Sequence, residues 1–281
     1  MTIKIVTDSA CDVPEAIAQT LDITVVPVYI NIGDKSYQEG VELSRHSFYQ
    51  KLSGYNPYPT TSAPSTGTFA DVYQRLAQQG ATDIISIHIA HDLSATYNAA
   101  RVGAAAQDAV RVTLFDTQQI SLAAGLLVML AAQAAKAGQT VKEIIDMLND
   151  RAQQTYLFGV IDTLDSLRRS GRVNWAEFGV GTLLQIKPVM MIHHGVISIA
   201  GKIRTHKRAI AHVLNLLSDM APLEQLAVVH VNAPEMAEKL KEQAGQLFPN
   251  GLSLPIMEIT PAIGLHLGLG AVGFACITQK D

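Results

Sequence analysis

The stretch "DIISIHIAHDLSATYNAARVGAAAQDAVRVTLFD", Asp83 to Asp116, decides the fold. It opens on DIISIHI, a β-branched run of buried-strand length without polar alternation, and closes on a second such run, RVTLFD. Between them, Ser94 to Gln107 reads as a helix. A strand, a helix and a strand in so short a span form a parallel crossover unit, because a tight turn joins only antiparallel strands. The alternation continues on both sides. Upstream, IKIVTD (from Ile3) and ITVVPVYIN (from Ile23) read as strands. SFYQKL and TFADVYQRLAQQG read as helices, the latter stopped by Gly80. Downstream come two more helices, the second being TVKEIIDMLNDRAQ. Residues 1–154 are therefore expected to form an α/β lobe with a mainly parallel sheet and helices on both faces.

After Gln154 the pattern changes. TYLFGVI reads as a strand, and two short helices are expected around TLDSLRRSG and NWAEFGVGTLL. IKPVMMI and VISIAGKI are strands separated by His193-His194-Gly195, a hairpin signal. Helix, strand, helix, strand and a Gly-rich end complete the chain. Residues 155–281 are thus expected to form a mixed α/β lobe. A ligand would lie between and within the lobes, at the carboxyl ends of the first sheet's strands.

The bulk composition narrows the function classes. Of 281 residues, 48% are hydrophobic and only 16% charged. That low charge fraction fits a large buried core, or a core that also encloses an apolar ligand. Net charge is −4 and no basic block stands out, which argues against nucleic-acid binding. Cys11 and Cys276 lie far apart and read as reduced, buried thiols of a cytoplasmic protein. MTIKIVTDS reads as a strand and turn, not a targeting segment. LAAGLLVMLAA, from Leu122, is too short to span a bilayer and reads as a buried helix.

Three segments carry small polar residues where a strand end leads towards a helix: Asp8-Ser9, TTSAPST (Thr60–Thr66) and Ser94-Ala95-Thr96-Tyr97. Each by itself reads as an N-cap. Together, at converging strand ends, their hydroxyls and nearby amides suit a carboxylate or a phosphate. Gly268-Leu-Gly270-Ala-Val-Gly273 fits a dinucleotide fingerprint but has too few residues after it for the rest of that unit. The run from Gly195 to Ile203 matches a Walker loop only loosely, and no G-x-S-x-G elbow is present. His88, His91 and His193-His194 lack a metal-ligand arrangement, so no metal is expected. His266 reads as a buried histidine among glycines that let backbone come close. Arg168, Arg169, Arg172 and Arg204 read as solvated charges or as basic groups near an anion-binding mouth.

Taken in order along the whole chain, VTDSACDVP, TSAPSTGTF, LSATYNAA, FDT, LRRSGRV, IKPVMMIHHG, the Arg204 region and GLHLGLGAVG resemble the DegV family. Its studied members are fatty-acid-binding subunits of bacterial fatty acid kinase. The resemblance implies a two-lobed α/β protein that buries one long-chain fatty acid, with the acyl tail in an apolar tunnel largely through the second lobe. Thr61, Ser62 and Ser94 would hold the carboxylate, His266 would lie beside it, and Arg204 would lie near the kinase-facing site. A separate ATP-dependent kinase subunit would then form the acyl phosphate that feeds phospholipid synthesis. The chain would be a carrier without catalysis or cofactor of its own, and would make transient membrane contact. Met190 and Met191 are candidate tunnel-lining residues. Two positions depart from the family pattern: Leu269 stands where a proline is usual, and Ser170-Gly171-Arg172 replaces a Gly-Gly-Arg turn. The competing expectation is a small-ketone-binding subunit of a dihydroxyacetone-kinase-like phosphotransfer system, a related carbonyl-sugar kinase subunit of the same broad fold.

Overall fold

The computed structural model describes residues 2–162, 164–173, 186–245 and 256–279. The first half runs β1 (Ile3–Asp8), α1 (Glu15–Thr20), β2 (Ile23–Val26), β3 (Tyr29–Ile32), β4 (Lys35–Gln38), α2 (Arg45–Lys51), β5 (Thr60–Ser62), α3 (Thr66–Gln78), β6 (Asp83–His88), α4 (Thr96–Ala105), β7 (Arg111–Asp116), α5 (Ser121–Lys136) and α6 (Val141–Ala152). The second half runs β8 (Thr155–Val160), α7 (Asp165–Ser170), β9 (Lys187–His193), β10 (Val196–Ile203), α8 (His206–Asp219), β11 (Leu223–His230), α9 (Pro234–Ala244), β12 (Met257–Glu258), α10 (Pro261–Leu267) and β13 (Val272–Thr278).

The fold is mixed α/β. One sheet is parallel, in the order β2-β1-β6-β7. Every residue of β6 is buried, as a central strand covered on both faces requires. Val6 and Ile84 face α3 and α4, where Phe69 and Tyr73 pack. Ile5, Ile85 and Ile87 face the opposite way, towards α5. A second sheet is mixed, in the order β10-β9-β8-β13-β11-β12, and only its β11–β12 pair is parallel.

Helix α5 explains the apolar run at Leu122. Twelve of its sixteen residues are buried, and the exposed ones, Gln133 and Lys136, lie towards its C-terminal end. It packs on β1 of the first sheet and on β8, β11 and β13 of the second. The largest apolar cluster accordingly runs across Gln154, from Ile5 and Ile85 through α5 to Leu157 and Ile277. Among the described residues no helix is long and apolar enough to cross a membrane.

One expectation fails. ITVVPVYIN is not one strand: after Val26 the chain leaves the parallel sheet at Pro27, whose nitrogen cannot donate to a ladder. The remainder, β3, joins a three-stranded antiparallel sheet with β4 and β5. The Gly-rich end, to which the sequence assigns no element, leads into β13, an interior strand between β8 and β11. Gly273 belongs there because a Cβ at that position would lie 1.9 Å from the Phe158 carbonyl oxygen. The helix expected around Asn174–Leu184 lies outside the described residues.

Candidate functional site

The parallel strands deliver their carboxyl ends to one place. Ala10 follows β1, Val28 follows β2, Ile89 and Leu93 follow β6, and Ile120 follows β7. Together with α7, α10 and the hairpin β9–β10 they enclose a cavity of about 350 Å³. Its wall is mostly aliphatic. The polar exceptions are Thr61, Ser62, Ser94, Thr96, Ser170, Arg172 and His266. A smaller apolar void of about 30 Å³ shares Ile120, Met190, Ile192 and Leu267 with this cavity and reaches β8 and β13 at Phe158 and Gly273. A separate groove of about 600 Å³ between α8 and α9 is lined mainly by polar and charged side chains and contains none of the expected site residues.

The structure brings four of the five expected residues together. Thr61 sits on β5, and its Oγ1 is 3.4 Å from His266 Nε2. Ser62, next on the strand, shares weak contacts of 3.4 and 3.5 Å with Asn31. Neither residue caps α3. That task falls to Ser65, whose Oγ accepts from Thr68 N at 3.0 Å. Ser94 is not the N-cap of α4, which is Ala95; it lines the cavity and accepts from Thr96 N at 3.2 Å, a turn bond just ahead of the helix. Burial, helped by the Arg172 guanidinium, pushes the His266 imidazole down to about 3, so it is neutral at physiological pH. Hydroxyls, a neutral imidazole and a nearby cation form a site for one anionic or carbonyl head group.

Arg204 is elsewhere. It is exposed in the turn between β10 and α8 and is not part of the cavity wall. Along β10 it lies roughly 20 Å from Ile197, which does line the wall, at about 3.3 Å per residue. The arginine at the mouth is Arg172, and Arg169 instead stacks over Tyr58 at 5.0 Å. The two methionines also part. Met190 lines the cavity, whereas Met191 points to the opposite face of the sheet, among the residues under α8.

Sequence reasoning missed the polar scaffold beneath the site. His88 Nδ1 meets Asp8 Oδ2 at 2.8 Å, His88 Nε2 meets Ser86 Oγ at 2.7 Å, and Ser86 meets the Tyr73 hydroxyl at 2.8 Å. This order mimics a nucleophile triad, but Ser86 is fully buried and does not reach the cavity. The chain instead fixes loops: Asp8 accepts from Ala10 N at 3.1 Å and Ile89 N at 3.4 Å, and both residues line the cavity.

A second buried group surrounds α10. Asp12 accepts from Thr260 N at 2.9 Å and Ser121 Oγ at 2.6 Å, and pairs with Arg45 at 3.2 Å. Glu39 accepts from Ala262 N at 3.1 Å and Ser9 Oγ at 2.7 Å. Burial raises Asp12 to about 6, against the pull of Arg45, and raises Glu39 to about 7, against its bonds from Ser9 and Ala262. The sequence signal for α10, Thr260-Pro261 followed by Gly268, was available. Nothing local pointed to Asp12 or Glu39.

Comparison with known proteins agrees with this architecture. A family model described as "Uncharacterised protein, DegV family" matches residues 2–279. A DegV domain-containing protein of Streptomyces coelicolor is 37% identical over 274 residues, covering 96% of each chain. A solved structure described as "Fatty Acid Binding of a DegV family Protein from Thermus thermophilus" is 30% identical, with a TM-score of 0.90, covering 99% of this chain and 100% of that one. The "Crystal Structure of DegV, a fatty acid binding protein from Bacillus subtilis" is 31% identical, with the same TM-score and coverage. With its parallel and mixed sheets, its whole length matched and relatives above 30% identity, the chain belongs to the DegV family.

Proposed function

We propose that this protein binds one long-chain fatty acid, with the carboxylate at Thr61, Ser62, Ser94 and His266 and the acyl tail in the apolar cavity. The observation that carries this reading is a cavity of about 350 Å³ that is aliphatic except at one polar end. Similar proteins from Thermus thermophilus and Bacillus subtilis are described as fatty-acid-binding. Burying a 16-carbon tail at ~0.8 kcal/mol per methylene gives roughly 11 kcal/mol of gross driving force. The tail thus accounts for retention, and the head group needs only to be satisfied. A carboxylate left without partners in such a site is prohibitive, which gives the hydroxyls and His266 their purpose. A small polar ketone leaves most of the aliphatic wall unfilled.

In this reading the protein is a carrier without catalysis of its own. It presents the carboxylate to a separate ATP-dependent kinase subunit for acyl-phosphate formation, with Arg204 on the partner-facing surface. The exposed position of Arg204, away from the cavity wall, supports this division of labour. Native mass spectrometry of the purified protein, before and after delipidation and reloading with palmitate or oleate, tests the binding step. One fatty acid per chain is expected. A delipidated protein that refuses both acids and takes a small polar metabolite overturns the proposal.

A further inference from the structure

His266 reaches the cavity from the last turn of α10, and the contacts that hold α10 come from far away in sequence. Its N-cap residue, Thr260, makes no capping bond with its own side chain, and Thr260 Oγ1 is buried without a hydrogen-bond partner. The capping is supplied across the fold by Asp12 on Thr260 N and Glu39 on Ala262 N. Carboxylates at helix amide ends satisfy donors that the helix itself leaves unpaired. Tyr49 donates to Ile259 O at 2.6 Å, and Arg45 donates to Glu258 O. At the other end Tyr58 donates to Leu265 O at 2.8 Å, one residue before His266. All five anchors precede β5. A helix contributed by the second half of the chain is therefore fixed to the first half at both ends.

The cluster is buried and carries an excess of acid. Asp12 and Glu39 are 1% and 3% exposed, and Arg45 is the cation between them. Around them stand Asp8, Tyr49 and Glu258, with Ser9 and Ser121 as neutral donors. Buried carboxylates are costly, and packing Pro261 to Leu265 into the core does not require them. What they add is orientation. The Thr61–His266 contact is 3.4 Å, at the outer limit of a hydrogen bond, so a small displacement of α10 breaks the alignment of the polar end.

We propose that Glu39 and Asp12, assisted by Tyr49 and Tyr58, are positioning residues for His266: they cap and pin α10 so that the imidazole faces Thr61 and the ligand head group. This rests on the reading of His266 as a head-group contact. The bond to Ala262 needs an acceptor oxygen and no charge, so Glu39→Gln retains it, with the new amide N–H facing Ser9 Oγ. Glu39→Ala removes it.

The test uses two readouts on the full chain. One is the pH titration of the His266 ring signal by NMR in the ligand-free protein, assigned by its loss in His266→Gln. The other is the affinity for cis-parinaric acid by fluorescence. Glu39→Ala is expected to move the His266 titration from its depressed position towards the ordinary histidine range, and to weaken the probe by about tenfold, the scale of one lost hydrogen bond to a charged group. Glu39→Gln is expected to restore both. If Glu39→Ala lowers only thermal stability, with His266 titration and probe affinity as in the wild type, the carboxylate merely supports the fold and the proposal fails. It fails equally if Glu39→Gln behaves as Glu39→Ala. Should Glu39→Ala not fold, Tyr58→Phe loses one hydroxyl beside His266 and is read by the same criteria. A wild type that binds no cis-parinaric acid or other fatty acid overturns the carrier reading, while the His266 titration of the ligand-free variants still decides the clamp.

Discussion

Replacing Ser94 with alanine separates the two tasks that its hydroxyl combines. Ser94 Oγ accepts from Thr96 N at 3.2 Å and lies 2.9 Å from Thr96 Oγ1, in the turn that leads into α4. Losing such a local hydrogen bond costs about 1 kcal/mol of stability. The same oxygen lines the cavity, where a hydrogen bond to a carboxylate contributes about 1.5–3 kcal/mol to binding. Ser94→Ala is thus expected to lower stability by about 1 kcal/mol and fatty-acid affinity by roughly 10- to 150-fold. Urea denaturation of the delipidated protein measures the first quantity, and displacement of cis-parinaric acid by palmitate measures the second. Thr61→Ala and Ser62→Ala, which remove no cap, are expected to weaken affinity by the same or less, with stability unchanged. If Ser94→Ala is less stable yet binds palmitate as the wild type does, the hydroxyl serves the turn ahead of α4 alone.

The remaining predictions use other parts of the cavity and its supports. Met190→Ala is expected to weaken palmitate binding, whereas Met191→Ala, on the other face of β9, leaves affinity unchanged in the same displacement assay; equal effects refute the assignment of faces. Gly264→Ala places a Cβ 2.0 Å from the Tyr49 hydroxyl, so thermal denaturation is expected to show a loss of about 1–3 kcal/mol; an unchanged melting temperature contradicts the close approach. Glu39 has its folded value raised to about 7 from an ordinary 4.5, so the native state binds more protons between those limits and its stability falls as pH rises through that window. Glu39→Gln is expected to flatten that fall by roughly 3 kcal/mol at most, measured by urea denaturation across the window. A bound carboxylate favours the charged imidazole, so the depressed His266 value is expected to rise on loading with palmitate, as NMR titration reads.

The parallel lobe was legible because its signals are local. DIISIHI has no polar alternation since β6 is covered on both faces, and Gly80 ends α3 with a positive φ of 91°. The hairpin at His194-Gly195 was legible for the same reason: both residues take the left-handed backbone that such turns require. What escaped depends on contacts between distant segments. Gly268, Gly270 and Gly273 gave no element in the sequence, and only the approach of the Phe158 carbonyl shows why a strand needs Gly273. Thr61, Ser62, Ser94 and His266 share a cavity, while their joining depends on β5 pairing with β3 and on the anchors of α10. Four arginines look alike in a string, and the position of α7 beside α10 selects Arg172 for the mouth. Asp12 and Glu39 bond residues more than two hundred positions away, which no window on the chain contains.

Helix α5 belongs to the interior of both sheets at once, although the chain spends it before residue 154. Neither half is then an excisable module. A fragment ending at α6 leaves the second-sheet face of α5 uncovered, and a fragment starting at β8 has lost the surface on which β8, β11 and β13 rest. Gene-level dissection at this boundary is therefore expected to give insoluble pieces, and intact chains to melt in one cooperative transition. Insertions and fusions belong at the termini or in exposed turns such as the one at Gly138, where the two faces of the shared helix stay covered.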